Sequence, residues 1–390
     1  MTALTTLLPA AALLAVATAL PPHALTSAPS ATATATAPYV VVLKDSTSRA
    51  PTRALAAEAA DHGDQVGTVY DAVLNGFAVR TTPARAAVLA ADPRVASVEP
   101  DTQFRTTDSQ PQAPWGLDRI DQRELPLDGS YTYASKAEGV TVYIVDTGIN
   151  IGHQEFGGRA RAGYNGVFLE SSGDCNGHGT HVAATAGGAT YGVAKGASLV
   201  AVKVADCRGR GRLSAMVGGL DWMVKDATAA PATRAVANMS MSGRRSYALD
   251  AAVARAVAAG ITFTVAAGND DRDACAGSPS RVPEAVTVGA TDAADHRAGF
   301  SNHGPCVDLS APGVGVVSAW KGSTTAAARA SGTSMAAPHA AGVAALILAG
   351  GTARTPAQVS QALVRSAVPD RITALPAGTR NLLLHIPTDR

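Results

Sequence analysis

What the chain has little of narrows it first. Aromatic residues make up 4% of 390 positions, so a core has to come from aliphatic side chains packed around small ones. Neither sign of charge prevails. Thirty-two Lys and Arg against 31 Asp and Glu leave a formal net charge of +1, which calls for neither a nucleic-acid partner nor a membrane surface. The four cysteines, Cys175, Cys207, Cys275 and Cys306, include no closely spaced pair, so the ligand spacing of a structural zinc site is missing. No internal apolar run is expected to reach the length of a membrane span. A basic residue is also missing ahead of the apolar stretch Leu7–Leu20. That stretch, followed by Pro21-Pro22 and an Ala/Thr/Ser-rich run, still reads as a secretory leader over residues 1–37. The alternatives are a disordered apolar leader or a start placed too far downstream.

The cysteines support export. Separations of 32 and 31 positions make Cys175–Cys207 and Cys275–Cys306 the simplest of three pairings, each contributing roughly 3–4 kcal/mol in the chain-entropy account. With 38 glycines and 46% hydrophobic residues, the chain reads as a compact α/β protein large enough for a main domain and a smaller one.

Residues 38–105 have their own pattern. Tyr39–Leu43, Val66–Tyr70, Gly76–Arg80 and Val95–Glu99 read as strands, and Pro51–Asp61 and Pro83–Ala91 as helices. The order β-α-β-β-α-β is ferredoxin-like, a small α+β unit. It carries no catalytic constellation; a permanent binding module is one reading and a pro-domain the better one. The polar residues after it, 106–112, read as an exposed, cleavable linker, and 113–390 as the main domain.

In that domain strands and helices alternate, as in a mostly parallel sheet covered on both faces. The apolar strand Gly139–Val145 ends at Asp146-Thr147-Gly148, where open α/β sheets place their active-site crevice; a structural turn is the bland alternative for the Asp. His178 opens an Ala/Val helix between glycines and suits a general base, while His181 reads as structural. Asn269 closes the strand Ile261–Asn269 and can donate an amide to an oxyanion or simply occupy a left-handed turn. Ser334 follows Gly332-Thr333, expected as a non-helical entry to a long apolar helix. It is then either an N-cap or a nucleophile whose oxyanion meets free backbone N–H groups.

Asp146-Thr147-Gly148, Asn176-Gly177-His178-Gly179-Thr180-His181-Val182 and Gly332-Thr333-Ser334-Met335-Ala336-Ala337-Pro338 together resemble the subtilisin-like serine proteases, or subtilases, whose triad runs Asp, His, Ser along the chain. Trp115–Gln122 and the cysteine pairs resemble the proteinase K and aqualysin-like branch, and the preceding module resembles the inhibitor-type pro-domain. The resemblance implies a three-layer α/β domain and a secreted, monomeric serine endopeptidase. It implies autoprocessing near Thr106–Ser109, protein or peptide substrates, and the pro-domain as intramolecular inhibitor. By that resemblance Ser334 attacks, His178 relays the proton, Asp146 orients the imidazole, and Asn269 with the Ser334 N–H receives the oxyanion. Substrate would lie extended between Gly209-Arg210-Gly211 and Met241-Ser242-Gly243, with Gly268 beside it. No catalytic cofactor is implied. Structural calcium is, from Asp308 with the Pro283 and Ala285 carbonyls, and from Asp118, Asp121, Gln122 and Asp128.

Three departures from the family pattern stand out. Ser242 replaces a usual glycine on the substrate edge. Gly277 replaces a tyrosine lining the first specificity pocket, implying a roomier pocket that takes large apolar or aromatic residues. Arg208, Arg210 and Arg212 make one cleft wall basic, either as solvated charge or as a preference for acidic residues upstream of the cut. Two rival readings fit less well: a catalytically silent relative acting as a binding protein, against which all three triad residues are present, and an α/β-hydrolase esterase, against which no Gly-x-Ser-x-Gly elbow surrounds Ser334.

Overall fold

The computed structural model describes residues 35–44, 49–102, 108–229 and 234–387. Most of the leader segment and the Thr106-Thr107 part of the expected cleavage point lie outside them. The chain divides into two units, Met1–Phe104 and Arg105–Arg390.

In the first unit β1 (Ala37–Leu43), α1 (Arg49–Asp61), β2 (Gln65–Tyr70), β3 (Gly76–Thr81), α2 (Pro83–Ala90) and β4 (Val95–Pro100) follow in order. The antiparallel sheet has order β2-β3-β1-β4, the ferredoxin-like arrangement. Alternation selects the buried face of β1: Val41 and Leu43 meet Leu55, Phe77 and Leu89. Thr82 starts α2, its hydroxyl accepting from the Arg85 N–H with Pro83 in the first turn.

The second unit begins earlier than the linker expectation allowed. Asp108–Pro111 is a strand, β5; α3 (Trp115–Asp121) and β6 (Ser130–Tyr133) follow, and β5 pairs with β6. The reason lies in side chains that polarity alone does not reveal: Gln110 accepts from Lys195 at 2.6 Å and donates to the Thr190 carbonyl at 3.1 Å.

Then come β7 (Val140–Asp146), β8 (Ala160–Asn165), α4 (His178–Gly187), β9 (Ser198–Lys203), α5 (Leu213–Thr228), β10 (Arg234–Met239), β11 (Gly243–Arg244), α6 (Tyr247–Ala258), β12 (Thr262–Ala266), β13 (Gly277–Ser278), β14 (Val286–Thr291), β15 (Leu309–Pro312), β16 (Val316–Ala319), β17 (Ala327–Ala330), α7 (Thr333–Gly350), α8 (Pro356–Ser366), β18 (Val368–Pro369) and β19 (Leu382–Leu383). The main sheet runs β18-β19-β15-β14-β12-β10-β7-β9-β8. Every pair in it is parallel except β18 with β19.

Residues of β7 alternate between two cores. Val140, Val142 and Ile144 pack with α4 and α7, and Tyr143 and Val145 with α5 and α6, so both faces are covered and the strand is apolar throughout. Each fully buried aliphatic side chain contributes about 1.5–3 kcal/mol. Two expectations are corrected here. Thr333 is already helical, and α7 is 18 residues of apolar sequence long enough to cross a membrane. Packing rather than composition accounts for it: α7 is 83% buried against the sheet and α4, and a helix apolar all round belongs in a core as readily as in lipid.

Candidate active site

β7 is where the strand order reverses, with β9 and β8 on one side and β10, β12 and β14 on the other. Its carboxyl end is therefore the topological switch point, where α/β sheets open a crevice. Asp146 ends β7 and is fully buried. Its Oδ1 accepts the Thr147 N–H at 2.7 Å and bonds His178 Nδ1 at 2.7 Å, while Oδ2 has no partner among the described residues. A carboxylate only accepts, so Nδ1 carries the proton and Nε2 keeps a free lone pair. Burial by itself would lower the His178 pKa. The Asp146 charge and hydrogen bond, with the Asp174 charge behind them, outweigh it and hold the pKa above the ordinary 6.5.

Asp174 is the carboxylate that sequence reasoning missed. Its Oδ1 accepts from the Thr147 hydroxyl and from the Asn176 and Gly177 N–H groups, all within 2.9 Å. Its Oδ2 accepts the Thr180 N–H and hydroxyl at 2.9 and 2.6 Å. One side chain thus fastens the end of β7 to the first turn of α4, where free N–H groups favour negative charge. Gly179 completes the fit, since a Cβ there would overlap the Gly148 carbonyl and lie 3.2 Å from the Asp146 carboxylate. His181, one turn on, bonds the Val316 carbonyl at 3.1 Å, and burial pulls its pKa down to about 4. It is a neutral core histidine.

Ser334 occupies the first turn of α7. Its hydroxyl donates to the Ser240 carbonyl at 2.9 Å, and its own carbonyl accepts the Ser240 hydroxyl at 2.7 Å. The second bond follows from Pro338: a proline four residues on has no N–H, so the Ser334 carbonyl lacks its helical donor. Asn238 continues the line, donating to Ser240 Oγ at 2.9 Å and accepting from Thr264 at 2.9 Å.

Asn269 is oriented by Thr333. Its Oδ1 accepts the Thr333 N–H and hydroxyl at 2.8 and 2.9 Å, which leaves the NH₂ as donor. A Cβ on Gly332 would sit 3.5 Å from Asn269 Nδ2 and 3.6 Å from the Ser334 nitrogen, so the two donors converge where residue 332 has no side chain. The loop carrying Asn269 is stapled by Asn302, which donates to the Ala267 carbonyl and accepts the Asp270 and Arg272 N–H groups. Only the polar run Ser301-Asn302-His303 hinted at it.

The expected substrate walls face each other. Gly209 and Arg210 form a turn on Asp206, and Gly211 bridges back to Ala205. A Cβ on Gly211 would lie 2.6 Å from Met216 Cε and 3.2 Å from Met241 Cε. Gly243 pairs with Ser278 and Arg244 with Gly277. Ser242 reaches toward Gly268, its Oγ 3.4 Å from where a Cβ on that residue would stand. The disulfides are Cys175–Cys207 and Cys275–Cys306; the first ties the entry of α4 to the 206–211 wall.

The two acidic clusters differ. Asp308 Oδ2 accepts the Thr287 N–H at 2.9 Å, and Oδ1 already faces the Arg380 guanidinium at 3.3 Å; Ala285 and Pro283 precede it in the turn before β14. Among the described residues no Lys or Arg ion-pairs with Asp118, Asp121 or Asp128. The Arg119 guanidinium beside them is turned onto Asp295 and the Gln122 carbonyl. Burial, with the Asp118 and Asp128 charges, pushes Asp121 up to about 7. The oxygens of Asp118, Asp121 and Asp128 are the donor type calcium takes, but the three carboxylates are not gathered within 4.8 Å of one another, and Asp118 and Asp121 already accept backbone N–H groups. The one group of three His, Cys, Asp or Glu ligand atoms lying within 4.8 Å of one another among the described residues is Glu170, Cys175 and Cys207, and its sulfurs are spent on the disulfide.

Comparison with known proteins agrees with this architecture. Residues 137–385 match the subtilase family and residues 30–107 match peptidase inhibitor I9. An extracellular serine proteinase of Thermus sp. (strain Rt41A) is 52% identical over 326 residues, covering 83% of this chain and 78% of that protein. Alkaline serine exoprotease A of Vibrio alginolyticus is 46% identical over 334 residues, covering 83% of this chain and 61% of that longer protein. The crystal structure of a cold adapted subtilisin-like serine proteinase is 49% identical with a TM-score of 0.68, covering 71% of this chain and 100% of that one. The class so defined is the serine endopeptidases. Within it the chain belongs to the subtilase family, in the proteinase K and aqualysin-like branch, with an inhibitor-type pro-domain ahead of the catalytic unit.

Proposed function

We propose that the chain is a secreted endopeptidase made as a self-processing zymogen, acting through Asp146, His178 and Ser334. His178 Nε2 takes the Ser334 proton as Oγ attacks the scissile carbonyl and returns it to the leaving amine. Asp146 holds the tautomer and stabilises the imidazolium. Asn269 Nδ2 and the Ser334 N–H receive the oxyanion, a contribution of about 2.7–4 kcal/mol per side-chain donor in comparable sites. The reading rests above all on the convergence of those two donors beside Ser334, at strand ends that also carry the 2.7 Å His178–Asp146 bond.

Substrate runs extended between Gly209-Arg210-Gly211 and Met241-Ser242-Gly243. The first unit serves as intramolecular inhibitor until the chain cuts between the two units, and the mature enzyme acts alone on proteins or peptides. Calcium, held by Asp118, Asp121 and Asp128 with Gln122, is structural: it offsets the mutual repulsion of these carboxylates, of which Asp118 is buried and Asp128 exposed, and takes no part in the reaction. Gly277 leaves a first pocket open to large apolar residues, and a peptide panel cleaved only after small residues would refute that.

Expressing the chain beside its Ser334→Ala variant tests the whole reading. Only the former shortens, to a product whose N-terminal sequence begins near residue ~108, within a few residues. Equal shortening of both would assign the cut to another protease.

A further inference from the structure

Beside the first turns of α5 and α6 lies a groove of about 330 Å³ whose apolar lining is Leu213, Met216, Met239, Met241 and Leu249. Arg244 and Arg245 line it as well, and both are exposed. Across from them, on the 206–212 wall, stand the exposed Arg208, Arg210 and Arg212. Among the described residues none of these five arginines is in an ion pair, whereas Arg161, Arg272, Arg281 and Arg297 elsewhere on the same unit are each matched with an aspartate.

Acids on the same segments make their contacts with other groups. Asp206 accepts the backbone N–H groups of Arg208 and Arg210, each at 2.9 Å. Asp250 pairs with Arg281, and Asp221 with Lys225. An apolar slot is thus rimmed on two sides by guanidinium groups that close no ion pair among the described residues, Asp206 acting on Arg208 and Arg210 only at longer range. Such groups, able to make bidentate bonds, match carboxylates supplied from outside.

We propose that Arg244 and Arg245 bind an acidic residue of the substrate next to a bulky apolar residue seated in this groove. Arg208, Arg210 and Arg212 add attraction from the opposite wall. The substrate class is then peptides in which a large aliphatic or aromatic residue, upstream of the cut, is flanked by Glu or Asp. This rests on the endopeptidase reading and adds to it a chemical preference. Because the contacts lie away from the reacting carbonyl and are the same in ground and transition states, the preference appears in KM and not in kcat.

The test uses the enzyme purified after expression of the full chain. Three internally quenched peptides differ only in carrying Glu, Gln or Lys beside a fixed Leu. Glu is expected to exceed Gln by about tenfold in kcat/KM at low salt, the scale of one charge-assisted hydrogen bond. Lys falls below Gln, and the spread shrinks in 0.5 M salt as screening shortens. In the Arg244→Gln/Arg245→Gln variant the Glu-to-Gln ratio falls toward one. Three peptides cut equally well overturn the preference while leaving the endopeptidase intact. A ratio unchanged in the variant overturns its assignment to these two arginines. If no peptide is cut and Ser334 resists a fluorophosphonate, the endopeptidase reading itself fails.

Discussion

Ser334 and Ser240 hold one another through two reciprocal bonds, and the second exists because Pro338 withholds an N–H from the Ser334 carbonyl. Ser240→Ala keeps the backbone acceptor but removes the donor. A stability loss of about 1 kcal/mol and a fall in kcat with little change in KM are expected from denaturation and steady-state kinetics; a variant with wild-type kcat would reduce Ser240 to a packing residue. The pH profile is fixed one residue pair away. A general base has to be neutral, and Asp146 favours the protonated imidazole. The acidic limb of kcat/KM therefore lies above the ordinary histidine value of 6.5. Asp146→Asn removes that charge and leaves burial to act alone, so residual activity, reduced about 10⁴-fold by analogy with other triads, carries its limb to lower pH. A limb that stays put would separate the Asp146 charge from the His178 titration.

Among the elements, α4 and β7 owe their alignment to Asp174. Asp174→Asn places an NH₂ or loses an acceptor opposite the Thr180 donors, so about 1–2 kcal/mol of stability goes, and the acidic limb moves down with the lost charge. Both changes are readable from one set of melting curves and pH profiles. α3 is pinned differently: Arg119, with no exposed surface, makes a bidentate pair with Asp295 at 2.7 and 2.9 Å. Truncating it strands a buried carboxylate, and Arg119→Ala should cost about 3–5 kcal/mol in denaturant unfolding. A loss under 1 kcal/mol would mean that water reaches Asp295.

For the whole molecule, calcium is the quantity to vary. Removing it with chelator should lower the melting temperature by roughly 5–10 °C, the scale expected for a ligand well above its dissociation constant on a domain this size. Asp121→Asn should abolish the difference between chelated and calcium-replete protein. If Asp308→Asn abolishes it instead, the ion sits where Arg380 now stands.

The sequence by itself determined the ferredoxin-like order of the first unit, the apolar strand ending in Asp146, and the long apolar helix behind Ser334. Each is a local pattern of period or punctuation, and local patterns survive being read along a line. Only the tertiary structure decided which groups support them. Asp174, Ser240 and Asn302 sit in unremarkable polar stretches, and their partners lie 27, 94 and 35 positions away. It also moved residues 108–111 from linker to strand and matched Asp308 with Arg380. It set Arg244 and Arg245 beside the groove shared with Gly211. Hydrogen bonds and charges act through space, and the spacing of residues along the chain does not encode which distant groups the sheet will bring within 3 Å.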